Sequence, residues 1–146
     1  MSVKSVREAI SLVFREDEKV LIFRRSSNRT TFPNCWSLPS AYIEENESIK
    51  DTAGKLVQSK LGLGKVILKP EIVGESVVVD RGGYRLHMTD VEVESYEGTF
   101  NLNINEYLEY RAVTAQELLD LLNKENNGNM GECTRTFLIA EGIIGK

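Results

Sequence analysis

The most informative part of this 146-residue chain is residues 41–63, which read AYIEENESIKDTAGKLVQSKLGL. From Ser48 onward, apolar residues recur every three or four positions, and this period predicts a helix over residues 48–61 with one apolar face. Gly62 and Gly64 follow directly, and glycine after such a segment marks the end of a helix. The segment is therefore expected to run from a glutamate-rich loop into a helix and then a turn.

Strands are predicted on both sides of this helix. Before it, residues 9–14 and 20–23 flank a charged turn, as in a β-hairpin. After it, strand-like segments cover residues 65–68, 72–79, 84–93 and 107–113, with a glycine turn at 80–83. Two further helices are predicted, one opening with capping-box spacing at Thr114 and one over residues 134–144. This order predicts an α+β fold, with residues 1–146 forming one domain.

The composition narrows the class of protein. Hydrophobic residues make up 41% of the chain and charged residues 27%, which is typical of a globular domain, and the net charge of −4 argues against general nucleic-acid binding. No apolar segment approaches the ~20 residues that span a bilayer, and the first residues lack signal-peptide features. Cys35, Cys133 and the single histidine, His87, lie too far apart in sequence to indicate a zinc site. We therefore expect a cytoplasmic protein without a membrane partner.

Residues 41–63 resemble the signature of the Nudix hydrolase (MutT-like) family, G-x5-E-x7-R-E-U-x-E-E-x-G-U, in which U is aliphatic. In an alignment without gaps, Glu47 matches the first glutamate, Gly62 the second glycine, and Val57 and Leu63 the two aliphatic positions. Ala41 stands in place of the first glycine and Lys55 in place of the arginine. Residues 113–118 are also similar to the segment that opens the family's next helix. The resemblance implies a Nudix-type α/β/α sandwich with a mixed β-sheet, in which the helix of residues 48–61 lies beside the pocket.

The departures from the signature fall where the family places its metal ligands. In the family, glutamates of the R-E-U-x-E-E segment bind Mg²⁺ or Mn²⁺ at the diphosphate of the substrate and help to activate water. Here those three positions hold Leu56, Ser59 and Lys60. A divalent cation of this kind needs several oxygen ligands, preferably carboxylates, and an ammonium group repels it. The family's metal site is therefore predicted to be absent, with Glu47 and Glu44 as the acids that remain for a metal.

Lys55 and Lys60 have two interpretations. Charged helix residues are usually solvated, so both lysines can face water while Leu56 extends the apolar face of the helix. In the second interpretation, their ammonium groups hold phosphate directly in place of the metal. Lys60 is then the stronger candidate, because the family aims this position at the diphosphate. Arg24 and Arg25, at the end of the preceding strand, are further candidate ligands of an anion.

Two functions are compatible with this resemblance and its departures. The first is a nucleotide- or diphosphate-binding module with weak or no hydrolysis and no metal cofactor. The second is an active hydrolase that cleaves a nucleoside diphosphate linked to another moiety, with Mg²⁺ or Mn²⁺ as cofactor and Glu47 as catalytic and metal-binding residue. Its other acids would be recruited from elsewhere, and Glu106 and Glu109 lie where some family members supply a late acid. The changed signature favours the binding module.

Symmetric dimers are the commonest oligomers, so a homodimer is the assembly to test by light scattering.

Overall fold

The computed structural model describes residues 6–79 and 85–145, and two four-stranded β-sheets lie at its centre. In chain order the strands are β1 (Val6–Val13), β2 (Arg15–Glu16), β3 (Lys19–Arg25), β4 (Trp36–Ser37), β5 (Ser40–Tyr42), β6 (Lys65–Val79), β7 (Arg85–Glu97) and β8 (Tyr107–Val113). One sheet has the order β5-β1-β7-β6, and the other joins β2, β3 and β4 with β8 paired to β3. The first sheet is mixed, because β1 runs parallel to β7 while β5 and β6 pair antiparallel with their neighbours.

The charged segment after β1 carries the chain from one sheet to the other. Arg15 lies opposite Val20 and Glu16 opposite Lys19, and the turn between these pairs holds Asp17 at φ 57°. The predicted hairpin is therefore confirmed at its tip. Its two longer strands do not pair, however, because β1 and β3 belong to different sheets.

The helix predicted over residues 48–61 is confirmed as α1 (Ile49–Leu56), which continues as a π-helical turn over Val57–Leu61; we call the two together the box helix. Ser48 caps it, accepting a hydrogen bond from the Asp51 backbone N–H while the Asp51 carboxylate accepts one from the Ser48 N–H. Gly62 ends it at φ 73°, and a Cβ there would lie 2.3 Å from the carbonyl oxygen of Asn101. Only glycine fits this turn.

Three predicted elements have different bounds in the structure. The strands predicted over residues 65–68 and 72–79 are one strand, β6. Pro70 is tolerated within it because β6 is an edge strand, in which one side needs no backbone N–H donor, and because the pairing with β7 shifts register around Pro70. The helix predicted over residues 134–144 is α3 (Glu132–Ala140), which ends before a turn at Gly142 with φ 75°. The helix that begins after Thr114 is confirmed as α2 (Ala115–Glu125). The glycine turn predicted at 80–83 and the first residue of the strand predicted over 84–93 lie outside the described residues.

The helices cover the sheets from two sides and form two apolar clusters. The box helix packs against one side with residues of β1, β3 and β7, and α2 and α3 pack on the other with residues of β1, β3 and β4. This arrangement confirms the predicted α/β/α sandwich. Among the described residues, the helices are too short or too polar to traverse a bilayer. Functionally, the sandwich brings the end of the box helix, the β3–β4 segment and the start of α3 around one cleft.

Candidate functional site

A cavity of about 470 Å³ opens in this cleft. Its basic lining residues are Arg25, Arg29, Lys55 and Lys60, and its acidic ones are Glu44, Glu47 and Glu132. Trp36, Leu86, Met88 and Met130 supply much of its apolar wall. Of the residues that the sequence nominated, Arg24, Glu106 and Glu109 do not line this cavity. The Arg24 guanidinium instead pairs with Glu109 of β8 at 3.2 Å.

Glu47 and Lys55 form an ion pair at the N-terminal end of the box helix. Glu47 Oε1 accepts hydrogen bonds from the Glu44 backbone N–H at 3.0 Å and from the Thr52 hydroxyl at 3.2 Å, while Oε2 contacts Lys55 Nζ. Lys55 lowers the pKa of Glu47, and Glu47 raises the pKa of Lys55. The Lys55 side chain is 71% exposed, as expected of a solvated lysine. The surviving glutamate of the signature is therefore already engaged by a cation.

Lys60, at the other end of the box helix, points inward. Its side chain is 20% exposed, and its Nζ lies 3.2 Å from Glu106 Oε1 and donates a hydrogen bond to the Ser40 carbonyl oxygen at 3.1 Å. The same Glu106 oxygen accepts a hydrogen bond from Arg29 at 2.9 Å. Burial lowers the pKa of Lys60, and the charge of Glu106 opposes that shift. Lys60 is therefore a half-buried cation at a position where the family carries a metal-binding glutamate.

Arg25 is a buried cation of the same cavity wall. It is 7% exposed, and its Nε and Nη2 donate hydrogen bonds to the carbonyl and hydroxyl oxygens of Thr31 at 2.9 and 2.8 Å. Burial lowers its pKa, and the nearby charge of Arg29 lowers it further. No carboxylate of the described residues forms an ion pair with it. A buried charge without a counter-ion is costly, so this wall favours an anion.

The residues of this cavity do not fit a divalent metal held in the family's manner. Leu56 is buried in the apolar cluster, and the Ser59 hydroxyl donates to the Lys55 carbonyl oxygen at 2.6 Å. Within residues 6–79 and 85–145, no three acidic, histidine or cysteine side chains come close enough to bind one ion. The carboxylates of Glu47 and Glu106 are each paired with a lysine. A divalent cation would have to displace these ammonium groups to reach them.

Sequence reasoning missed the ion pairs that Glu106 forms with two residues of the cavity lining, and the place of both cysteines in that lining. Glu106 reaches Arg29 and Lys60 across 77 and 46 residues of chain, a distance over which no local pattern predicts contact. Cys35 and Cys133 line the cavity too, but burial raises the pKa of both thiols, that of Cys133 to about 11. Both are therefore protonated near neutral pH and are poor nucleophiles.

Comparison with known proteins agrees with this architecture. The family profile described as NUDIX domain matches residues 4–137. The structure is similar to that of a MutT protein from Methanosarcina mazei Go1, with 19% identity, a TM-score of 0.72, and 98% of this chain and 96% of that one covered. It is also similar to a MutT NUDIX hydrolase from Burkholderia pseudomallei, with 17% identity, a TM-score of 0.67 and 91% and 95% coverage.

A third similar structure is the dihydroneopterin triphosphate pyrophosphohydrolase of E. coli, with 17% identity, a TM-score of 0.60, and 90% of this chain and 92% of that one covered. At these identities the structures show a shared fold. No curated protein sequence matches the chain significantly. The family profile covers most of the chain, and the chain belongs to the Nudix family.

Proposed function

We propose that this chain is a Nudix-fold module that binds a nucleotide or other diphosphate without a divalent metal and hydrolyses it weakly or not at all. The observation that carries this proposal is the place of Lys60. Its ammonium group, half-buried and held by Glu106 and the Ser40 carbonyl, stands at a signature position that would otherwise supply a metal-binding carboxylate. The chain therefore has a fixed cation of its own at this point of the cavity.

The charge balance of the cavity wall supports an anionic ligand. Lys60 and Arg29 share the single carboxylate of Glu106, and Arg25 has no ion-pair partner among the described residues. A diphosphate carries the complementary charge, and guanidinium groups bind phosphate oxygens through paired, charge-assisted hydrogen bonds. Lys60, Arg25 and Arg29 are therefore the proposed phosphate ligands, and Lys55, already paired and exposed, contributes mainly to the local field.

Weak hydrolysis is expected because the cavity lacks a ready means of activating water. A general base works best when its pKa lies near the working pH. Lys55 and the hydrogen bonds to Glu47 lower the pKa of that carboxyl below its ordinary value, so it is a poor proton acceptor. Without clustered carboxylates, a metal-bound hydroxide is not expected to replace it.

The competing function is a metal-dependent hydrolase. It is favoured by one observation, that Glu47 and Glu44 both line the cavity and are joined by a hydrogen bond from the Glu44 backbone N–H to Glu47 Oε1. For this function to operate, Mg²⁺ or Mn²⁺ would have to compete with Lys55 for the Glu47 carboxylate.

A turnover screen separates the two functions. Purified protein is incubated with nucleoside triphosphates, dinucleoside polyphosphates and nucleotide sugars in the presence of Mg²⁺ or Mn²⁺. We expect no turnover above that of the Glu47→Gln variant. The matched control is Glu94→Gln, which changes an exposed acid outside the cavity lining. Robust turnover that persists in Glu94→Gln and disappears in Glu47→Gln would establish the hydrolase instead.

A further inference from the structure

Ser37 presents a buried hydroxyl that the fold does not use. The residue is 4% exposed and lines the cavity, and its Oγ has no hydrogen-bond partner among the residues that the structure describes. Buried polar atoms in folded proteins are nearly always hydrogen-bonded, so each exception calls for an explanation. A hydroxyl without a partner among the described residues, on a residue of the cavity wall, is explained if the cavity's ligand supplies that partner.

The strand geometry gives the direction of this hydroxyl. Trp36, the neighbouring residue of β4, packs into the cluster formed with α2 and α3. Side chains alternate along a strand, so Ser37 faces the opposite side, toward the box helix. Ser37 lies opposite Phe23 of β3, and Arg25 follows two residues later on the same face of that strand. Ser37 and Arg25 are therefore diagonal cross-strand neighbours on one face.

The surrounding charges determine what the hydroxyl binds. The nearby cations Arg25 and Lys60 line the same cavity, and a serine hydroxyl offers one donor and two acceptor sites. An amino group of a ligand brought here would meet like charge, whereas a phosphate oxygen is attracted by both cations and accepts the O–H. The chemistry of the wall therefore selects an oxyanion as the partner of Ser37.

We propose that Ser37 is a phosphate-binding residue whose Oγ–H donates to a non-bridging oxygen of the phosphoryl group held by Arg25 and Lys60. This inference rests on the proposed function and deepens it, because it assigns a neutral donor to the phosphate subsite. The subsite then combines two cations with one hydroxyl, and it recognises the phosphate group rather than the moiety attached to it. Any nucleoside diphosphate and inorganic pyrophosphate should share this contact.

Isothermal titration calorimetry with inorganic pyrophosphate in EDTA tests the assignment. Loss of one hydrogen bond to a charged group should weaken binding about tenfold in Ser37→Ala. The same loss is expected in Ser37→Cys, since a thiol is a poor donor of similar size, and the same factor is expected with ADP. Ser27→Ala, which alters an exposed serine outside the cavity lining, should bind as the wild type does.

Thermal melts of the same variants separate a binding role from a structural one. Ser37→Ala removes a hydroxyl that has no hydrogen-bond partner in the described part of the chain, so its melting temperature should be unchanged or higher. Three results in Ser37→Ala would each overturn the role of Ser37 while leaving the proposed function intact. They are an affinity equal to that of the wild type, a loss of affinity accompanied by a loss of stability, and weaker binding of ADP but not of pyrophosphate. Failure of the wild type itself to bind pyrophosphate or ADP in EDTA would instead overturn the proposed function, and this inference with it.

Discussion

Two lysine–glutamate pairs involve lysines of the box helix, and water reaches them to very different extents. In the first, Lys55 is 71% exposed and pairs with Glu47; in the second, Lys60 is 20% exposed and pairs with Glu106. The pKa of Lys55 is raised, because the attraction of Glu47 outweighs desolvation. The pKa of Lys60 is lowered, because desolvation outweighs the attraction of Glu106. The same pair of residue types thus produces opposite shifts.

Under the proposed function, the different exposure of the two pairs explains how a metal site of this family can become an anion site. An exposed ion pair contributes little and is readily screened, so the Glu47–Lys55 pair mainly occupies the remaining carboxylate. A desolvated ammonium is screened less and keeps a fixed place, so Lys60 provides a lasting positive charge at the cavity wall. On this account the ligand's phosphates contact the second pair, and changes at the first pair should matter far less.

The largest expected effect concerns Asp90, an acid that burial desolvates and that has no ion-pair partner among the described residues. Asp90 is fully buried and accepts a hydrogen bond from the Ser11 hydroxyl at 2.5 Å, and burial raises its pKa to about 8. The folded state therefore keeps a proton that the unfolded chain releases near pH 4, so stability is lost as the pH rises toward 8. Between pH 5 and 8, the unfolding free energy of the wild type should fall by about 1.4 kcal/mol per pH unit, or about 4 kcal/mol in all, when it is measured relative to that of Asp90→Asn at the same pH.

Denaturant unfolding of both proteins at pH 5, 6.5 and 8 measures this difference. Glu94→Gln, at an exposed carboxylate, is the matched control and should track the wild type throughout. Parallel stability curves for wild type and Asp90→Asn would show that desolvation does not hold a proton on Asp90. That result would weaken the same reasoning for Lys60.

Charge reversal at the two lysines should separate the pairs most clearly in binding. Lys60→Glu removes a charge-assisted contact worth about 1.5–3 kcal/mol and places a carboxylate beside Glu106, so metal-free pyrophosphate affinity should fall at least 100-fold. Lys55→Glu makes the same change at the exposed pair and should cost less than about threefold. Calorimetry in EDTA gives both values. Equal losses in the two variants would contradict the distinction between the pairs.

The pH dependence of ADP binding sharpens the same distinction. The charged groups around the Lys60 ammonium are Glu106, Arg25 and Arg29, and burial lowers the pKa of Lys60. Its positive charge is therefore lost at a lower pH than that of an ordinary lysine, and ADP affinity should begin to fall below the pH at which an ordinary lysine deprotonates. Lys60→Arg, whose guanidinium stays charged, should show a flat profile over the same pH range. A flat wild-type profile would mean that the ammonium does not contact the ligand.

The smallest effect is expected from neutralising the acid of each pair. Glu106 competes with the ligand for Lys60 and Arg29. Glu106→Gln should therefore tighten pyrophosphate binding about fivefold at low salt, and the size of this gain follows from the Coulomb energy of one partly screened charge. Glu47→Gln should change the affinity less than twofold. Titrations at low and high ionic strength measure both, and the gain should shrink as salt is added. Weaker binding in Glu106→Gln would indicate that Glu106 positions the cations rather than competing for them.

Local chemistry explains which parts of the fold could be predicted from the sequence. The box helix was predictable because an apolar period leads directly to a terminal glycine, and α2 was predictable because it opens with capping-box spacing. The separation of β1 from β3 into different sheets could not be predicted, because it depends on the pairing of β1 with β7, which is distant in sequence. The single strand β6 was hidden by Pro70, whose effect depends on whether the strand lies at a sheet edge.

The same limit applies to the candidate site. The substitutions at Leu56, Ser59 and Lys60 could be recognised from a signature that is contiguous in sequence. The signature also favoured Lys60 over Lys55 as the lysine that faces the ligand. The groups that hold Lys60 could not be deduced, because Glu106 and Ser40 come from distant segments of the chain. The unpaired hydroxyl of Ser37 carries no sequence signal at all, since it is defined by partners that it lacks among the described residues.

The most direct test of this account compares ADP binding to the wild-type protein in Mg²⁺ and in EDTA. The proposed function has Lys60, Arg25 and Arg29 hold the phosphates without an ion, so the dissociation constants measured by calorimetry in the two buffers should agree within about threefold, with a small difference expected because Mg²⁺ also binds free ADP. Binding that occurs in Mg²⁺ and vanishes in EDTA would contradict the account. It would show that a metal, rather than the Lys60 ammonium, supplies the positive charge at this site.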